Sequence, residues 1–366
     1  MQIAFFGSSI VSAYWNGAAT YYRGILGALA RRGHRITFYE PDAFDRQQHR
    51  DIEPPPWCRV VVYKPCEDAA ARCLEEARGA DLVVKASGVG VLDAYLEQAV
   101  LALKSPRTRV VFWDVDAPAT LESIHTSPDD RLGPLVPDFD MVLTYGGGPP
   151  VVSTYEALGA RACVPVYNAL DPATHHPVPA DPAFAADLSF LGNRLPDREA
   201  RVEEFFLRAA ALAPDKRFLM GGSGWDDKPM PANVRSLGHV YTHQHNAFNC
   251  SARAVLNITR DSMARTGYSP PTRVFEACGA GACLITDAWT GIDQFLEPDR
   301  EVLVAADGAA VAAHVADLSP ERAAAIGAAG RARVLADHTY DQRALEVERL
   351  LEGRDTGAAV ATEGAS

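Results

Sequence analysis

The segment from Gly267 to Asp287 (GYSPPTRVFEACGAGACLITD) combines groups that suit a phosphorylated ligand. Its prolines end a loop, and a helix is predicted to begin at Thr272 or Arg273. The free N–H groups of that first turn can hold a diphosphate, and Arg273 adds a permanent positive charge. Glu276 lies one turn inside the helix, where a carboxylate can accept hydrogen bonds from a ribose diol. The alternative is an ordinary helix–strand unit with a capping Glu.

A second loop that could bind an anion follows the first predicted strand. Gly7-Ser8-Ser9 ends that strand, and Asn16 and Gly17 stand just before the first predicted helix. Glycine lets the backbone approach a ligand closely, and a helix N-terminus favours phosphate or carboxylate. The loop lacks the GxGxxG spacing of dinucleotide-binding folds, so a plain strand-to-helix turn is the alternative.

Two carboxylates one residue apart, Asp114 and Asp116, follow another predicted strand in the stretch WDVDAP. Such a pair could supply a general base or bind a divalent metal. We favour a base or a sugar contact over a metal, because an isolated DxD is a frequent chance match. A solvated turn or a helix cap is the other interpretation.

Asn193 and Arg194 follow the first strand of the second half of the chain. The planar guanidinium of Arg194 suits a diphosphate, and a salt bridge between domains is the alternative role. The histidines show no helical i, i+4 spacing with a carboxylate partner, so we predict no metal site.

Alternating strands and helices must position these groups. The first half begins with QIAFF, a helix from about Thr20 to Arg32, and RITFY, which is the pattern of a βαβ unit with a parallel sheet. Further strand-like runs predict a doubly wound domain over residues 1–165. The Pro-rich stretch 166–185 is predicted to be a linker.

The second half repeats this layout without repeating the sequence. Strand-like runs such as LSFL and CLIT predict a second doubly wound domain over residues 186–338, and a helix over 339–352 is expected to cross back to the first domain. Residues 353–366 are small and polar and are predicted to be disordered. Ligands of such sheets lie outside the carboxyl ends of the strands, so the two domains predict a cleft for two substrates.

Composition narrows the range of functions. The chain has 366 residues and a formal net charge of -12, which argues against nucleic acid as a partner. Its seven cysteines include no CxxC pair and suit a reducing compartment. The sequence shows no signal peptide and no transmembrane run, so a cytoplasmic protein is expected.

The segment around Glu276 resembles the GT-B glycosyltransferases related to family 4, and more closely the CgeB-like (spore maturation protein) branch. The family motif is a Glu, seven residues and a second Glu in a helix of the form LEAMACGxPVI, and VFEACGAGACLIT matches its second half. Glu276 takes the place of the ribose-binding Glu, and Thr272 and Arg273 match the diphosphate-holding helix start. Tyr268 stands at the position of the first Glu, the family's usual sugar contact.

Other stretches are similar to the same family. NVRSLGHV resembles the segment whose backbone touches the nucleobase, which implies contacts from His239 and Val240. ALDPATHHP resembles the interdomain linker, DLSFLGNR the opening of the donor domain, and HTYDQRA the C-terminal element. The loop with Asn16 and Gly17 corresponds to one near the donor phosphate and the acceptor.

The resemblance implies a GT-B fold and transfer of a sugar from a nucleoside-diphosphate sugar to an acceptor bound by the N-terminal domain. It implies no metal and no cofactor besides that co-substrate. Asp114 or Asp116 would be the base of an inverting reaction, and in a retaining one these carboxylates would only orient hydroxyls. A nucleotide-sugar epimerase and a non-catalytic sugar-nucleotide-binding protein remain alternatives, and a metal-dependent GT-A enzyme is a third.

Overall fold

The computed structural model describes residues 1–14 and 16–353, so the predicted tail lies outside the described residues from residue 354 onward. The described chain forms two parallel sheets in succession. Apolar runs of four to seven residues form their central strands, because both faces of a parallel sheet are covered by helices.

The first sheet has the strand order β3-β2-β1-β4-β5-β6-β7. Its strands are β1 (Gln2–Phe6), β2 (Arg35–Pro41), β3 (Cys58–Tyr63), β4 (Leu82–Ala86), β5 (Arg109–Asp114), β6 (Met141–Thr144) and β7 (Cys163–Pro165). Its helices are α1 (Ala18–Arg31), α2 (Glu67–Ala77), α3 (Asp93–Leu101), α4 (Ala117–Thr126) and α5 (Gly148–Ala157). The chain order reverses at β1, which pairs with both β2 and β4, so a ligand crevice is expected at the carboxyl end of β1.

The second sheet has the strand order β10-β9-β8-β11-β12-β13. Its strands are β8 (Ala186–Leu191), β9 (Phe218–Gly221), β10 (Val234–Ser236), β11 (Ala252–Asn257), β12 (Leu284–Asp287) and β13 (Leu303–Ala305). The helices are α6 (Pro196–Val202), α7 (Arg208–Leu212), α8 (His245–Ser251), α9 (Asp261–Thr266), α10 (Thr272–Gly279), α11 (Gly308–Asp317), α12 (Pro320–Asp337) and α13 (Tyr340–Glu352). Here the order reverses at β8, so the two sheets repeat one plan.

Aromatic side chains fill the first core on both faces of its sheet. Phe5 stacks on Phe38 at 5.2 Å on one face, and Phe6 stacks on Tyr39 at 4.6 Å on the other. Successive strand residues point to opposite faces, so neighbouring positions of β1 serve both cores.

The last helix, α13, belongs in space to the first domain. Its Tyr340 ring is buried against Gly24 of α1, and Glu348 pairs with Arg32 at 2.6 Å. The chain therefore passes from the first domain to the second and back again.

Several short elements lie outside the patterns read from the sequence. The helices α4, α5, α8 and α9 have ten residues or fewer, and β7 has three. Elements of this length contain too few apolar repeats for a clear period. The first helix after β8 begins at Pro196, and a π-helical turn at Glu203–Leu207 separates α6 from α7. None of the described helices has the length and apolar character needed to cross a bilayer.

Candidate active site

A cavity of about 680 Å³ lies between the carboxyl edges of the two sheets. The first domain contributes loops after β1, β2, β4 and β5, and the second contributes loops after β8 and β11 and the start of α10. The polar and charged residues that line it are Ser8, Asn16, Arg46, Asp116, Asn168, Asn193, Asp197, Arg198, Arg260 and Thr272. Another cavity, of about 510 Å³, lies at the amino ends of strands in the second sheet, away from both switch points.

The start of α10 faces the interdomain cavity. Thr272 lines the cavity, and Pro271, the residue before the helix, provides no side-chain cap. The N–H groups of the first turn are therefore available to an anion. Arg273 is largely buried beside this turn, and its Nη2 donates a long hydrogen bond of 3.4 Å to the Leu191 carbonyl.

The Glu276 carboxylate lies one turn along α10, with 12% of its side chain exposed. Its oxygens lie 3.9 Å from Nε2 of His175 and 3.6 Å from Nη1 of Arg273. Burial raises the pKa of Glu276, but the electrostatic interactions with His175, Arg273 and His245 outweigh it and leave the pKa below its ordinary value. The group is therefore ionised at neutral pH, although neither it nor Arg273 is among the residues that line the cavity.

A second guanidinium, that of Arg198 at the start of α6, lines the cavity. Its Nη2 donates to the Asn193 carbonyl, and its buried Nε has no partner among the described residues. The Nε atom of Arg273 is also buried without a partner among the described residues. Nη1 of Arg273 has only the 3.6 Å contact to Glu276. Burial, together with the charge of Arg273, lowers the pKa of Arg198 to about 10. Two cations thus lie close together with donors to spare, which is the environment of an anion-binding site.

Arg194 does not take the position predicted for it. Its guanidinium donates to Glu199 at 2.6 Å and to Asp227 at 2.7 Å, and it is absent from the residues that line the cavity. Both carboxylates belong to its own domain, so Arg194 stabilises the loop after β8 and does not bridge the domains. Arg198, four residues later, faces the cavity in its place.

Asn16 and Gly17 lie at the cavity wall of the first domain. The Asn16 amide donates to the carbonyls of Ser9 and Ser12 and accepts from Ser8, so its side chain is used within the loop. Gly17 precedes α1 without a side-chain cap, and apart from its two chain neighbours no atom of the described residues lies within 4 Å of where its side chain would be. The open start of α1 therefore faces the cavity opposite that of α10.

Asp114 and Asp116 have different surroundings. Asp114 is fully buried and accepts hydrogen bonds from Ser87, Thr120 and Tyr155 and from the Asp116 backbone. Burial raises the pKa of Asp114 above its ordinary value. Its predicted role as a base in the cleft is therefore wrong, because the residue is fully buried and both of its oxygens already accept hydrogen bonds.

Asp116 does face the cavity, with 34% of its side chain exposed. One oxygen, Oδ2, pairs with Nη1 of Arg260 in the second domain at 3.2 Å. The other, Oδ1, is buried and has no partner among the described residues. Arg260 also pairs with Asp197 at 2.5 Å, so the carboxylate of Asp116 lies in a charged layer between the domains.

Tyr268, His239 and Val240 lie outside the lining of this cavity. Tyr268 has a positive φ of 47°, its ring covers Gly291, and its carbonyl accepts from the Gly147 N–H of the first domain at 2.8 Å. It therefore joins the domains. His239 is exposed and Val240 is buried, while the Val240 carbonyl lies 3.3 Å from Nε2 of His245. Burial lowers the pKa of His245 to about 4.

Sequence patterns did not identify Arg198, Arg260, Arg46, His175 or His245 as site residues. Arg260 lies just after β11, so its position at the carboxyl end of a strand was a usable signal. The two histidines reach α10 from the linker and from α8, and no spacing along the chain reveals that contact.

Comparisons with known proteins agree with this architecture. Residues 198–349 match the family model described as glycosyl transferase-like. No curated protein matches the sequence significantly. Sucrose-phosphate synthase from Thermosynechococcus elongatus superposes with a TM-score of 0.65 at 16% identity, over 97% of this chain and 99% of that one.

Two further solved structures have similar values. Alr3699/HepE of Anabaena in complex with UDP-glucose has a TM-score of 0.65 at 13% identity, over 96% of this chain and all of that one. An alpha-glucosyltransferase in complex with UDP and a 13-mer DNA containing an HMU base has a TM-score of 0.66 at 13% identity, over 96% and 99%. The fold is GT-B, with two Rossmann-like domains that face each other across a cleft, as the sequence predicts.

Proposed function

We propose that the protein is a glycosyltransferase that moves a sugar from a nucleoside-diphosphate sugar to an acceptor held by the N-terminal domain. The glycosyl transferase-like match over residues 198–349 and the GT-B fold support this reaction. UDP-glucose is the first donor to test, because solved neighbours of this fold contain UDP or UDP-glucose.

One observation carries the proposal. The guanidiniums of Arg198 and Arg273 have unpartnered nitrogens beside the uncapped start of α10, one turn from the Glu276 carboxylate. Arg198 forms no ion pair in the described chain, and Arg273 has only the long contact to Glu276, so these two buried cations indicate a ligand that supplies further negative charge. A diphosphate at the helix start would meet both arginines, and the attached ribose would reach Glu276.

The remaining donor contacts are part of the proposal. The backbone at His239 and Val240 would border the nucleobase, and His245 next to it is held neutral by its low pKa. Tyr268 would act by fixing the loop before α10 against Gly147 of the first domain. The motif around Glu276 leads us to place the protein in the CgeB-like branch related to family 4.

The chemistry follows from where charge develops. Cleavage of the bond between the sugar and the diphosphate leaves negative charge on the phosphate oxygens. Arg198, Arg273 and the α10 N–H groups would stabilise that charge without rearranging. These donors suffice for a metal-independent reaction, so we expect activity to survive EDTA.

Asp116 is the proposed base if the reaction inverts the sugar, because it is the predicted carboxylate that faces the cleft. In a retaining reaction it would instead orient a hydroxyl. Asn16 would hold the loop before α1, and the open N–H groups at Gly17 would face the donor phosphate or the acceptor. The seven free thiols suit a reducing compartment, and we propose the cytoplasm.

A thermal-shift titration with UDP, GDP, TDP and CDP tests the donor site, with wild type beside Glu276→Ala. A bound nucleotide stabilises the fold by roughly 2.7 kcal/mol at a hundredfold excess over Kd. We expect one nucleotide to shift the wild type and to lose most of that shift in Glu276→Ala. Glu297→Ala, which removes an exposed Glu of the same domain, is the matched control.

The outcome separates the alternatives. Equal shifts in wild type and Glu276→Ala would contradict the placement of the ribose. Nucleotide binding without transfer or hydrolysis of any donor would favour a non-catalytic binding protein, and interconversion of donor sugars without an acceptor would favour an epimerase.

A further inference from the structure

Arg46 is a buried cation on the first-domain wall of the cleft, and the donor site does not use it. It lies in the loop between β2 and β3, is 7% exposed, and lines the cavity with Ser8 and Gly88. Arg198, on the opposite wall, belongs to the second domain.

The contacts of Arg46 hold one side of its guanidinium and leave the other free. Nη1 donates to the carbonyls of Ser8 at 3.5 Å and Val89 at 3.3 Å, and the Phe44 ring lies 5.0 Å from the guanidinium carbon. Nε is buried and has no partner, and no hydrogen bond from Nη2 occurs in the described part of the chain. Nε and Nη2 form the edge of a guanidinium that binds carboxylate or phosphate with two parallel hydrogen bonds.

No carboxylate of the described chain neutralises Arg46 at ion-pair distance. Among the carboxylates, Glu40 has the largest electrostatic influence on Arg46. Its oxygens accept hydrogen bonds from the Ser9 hydroxyl, the Ile10 N–H and the Gln47 amide. Asp93 is paired with Lys85 at 2.7 Å. The two carboxylates are therefore engaged elsewhere, and burial lowers the pKa of Arg46.

We propose that Arg46 binds an anionic group, a phosphate or a carboxylate, on the acceptor. This inference rests on the proposed function, because the acceptor is defined as the substrate of the first domain. The free edge of Arg46 would fix the charged end of the acceptor and so orient a hydroxyl of the same molecule towards Asp116 and the donor. A neutral acceptor would leave this buried cation uncompensated in the closed complex.

The experiment titrates inorganic phosphate into the protein with UDP at saturation, so that the donor site is already filled. Potassium chloride keeps the ionic strength constant, and thermal shift and calorimetry report binding. We expect wild type to bind phosphate in addition to UDP, and Arg46→Gln to bind it at least tenfold more weakly. Arg46→Lys, which keeps the charge and loses the two-nitrogen edge, is expected to lie between them.

Arg78→Gln, which removes an exposed Arg of the same domain, is the control and should match wild type. Retention of the UDP shift in Arg46→Gln shows that the variant is folded. The proposal is overturned if folded Arg46→Gln binds phosphate as tightly as wild type, or if UDP-saturated wild type binds no phosphate. If UDP fails to bind but phosphate binding still depends on Arg46, the anion site stands and the donor assignment fails.

Discussion

Asp116 of the first domain and Arg260 of the second form an ion pair across the cleft, with 3.2 Å between Oδ2 and Nη1. Arg260 is shared with Asp197 of its own domain, and Oδ1 of Asp116 has no partner in the described chain. One carboxylate oxygen is thus tied to the facing domain, while the other is buried and accepts no hydrogen bond in the described chain. A base that is positioned by one oxygen can accept a proton on the other.

Asp116→Asn should separate catalysis from donor binding. If Asp116 takes the acceptor proton, kcat falls by roughly 100-fold or more while nucleotide affinity changes little, because the amide keeps the shape and loses the basicity. Steady-state transfer assays and the nucleotide thermal shift measure the two effects. Asp261→Asn, on a partly exposed Asp of α9, is the control. An unchanged kcat would show that Asp116 is not the base and that its role is the ion pair with Arg260 between the domains.

Arg198→Gln should weaken nucleotide binding without destabilising the free protein. The guanidinium is largely buried beside Arg273, and its removal relieves a like-charge repulsion. We expect the melting temperature of the free protein to stay level or rise, and the nucleotide Kd to increase by roughly tenfold to a hundredfold, as for a lost charge-assisted hydrogen bond of about 1.5–3 kcal/mol. A fall in free-protein stability with normal affinity would make Arg198 purely structural. Arg194→Gln, which breaks the ion pairs with Glu199 and Asp227, should instead lower the stability of the free protein and leave the nucleotide affinity normal.

His338 should make stability fall as the pH drops below about 6.5. Burial lowers its folded-state pKa to about 4, and it is enclosed between the Phe295 carbonyl and Arg343. Between these values the unfolded chain binds a proton that the folded protein refuses, so acid favours unfolding. From pH 7.0 to 5.5 this one group removes roughly 1 kcal/mol. Urea melts of wild type, His338→Gln and the exposed control His176→Gln measure it, and equal pH dependence in all three would contradict the assignment.

Gly24→Ala should destabilise the protein although alanine is the better helix former. A methyl group at Gly24 would overlap the Tyr340 ring, which is buried between α1 and α13. Overpacking of this kind costs roughly 1–3 kcal/mol. Gly27→Ala in the same helix meets the partly exposed Trp57 at 3.3 Å and the flexible end of Arg31 at 3.8 Å, and should be close to neutral. Equal denaturation midpoints for the two variants would show that Tyr340 of α13 is not closely packed against Gly24 of α1.

Local sequence was sufficient to predict the two doubly wound sheets and helix α10. The signals for strands, glycine turns and helices lie close together in the chain, and both halves repeat the same βαβ unit. The order of the elements and the edge of the sheet that forms the cleft therefore follow from short-range patterns. The position of Thr272, Arg273 and Glu276 on one helix start follows in the same way, because prolines before the helix and glycines after it fix its ends.

The tertiary structure decided which charged groups reach the cleft. Asp114 and Asp116 are two residues apart, yet one is saturated by four donors inside the fold and the other faces the second domain. Arg194 and Arg198 both follow β8, but acidic neighbours hold the first away from the cavity that the second lines. Several of the partners that make these choices, such as Tyr155, Asp227 and Arg260, lie far away in the chain or on the opposite domain. Residue type and spacing alone therefore locate the loops, and packing selects the side chains within them.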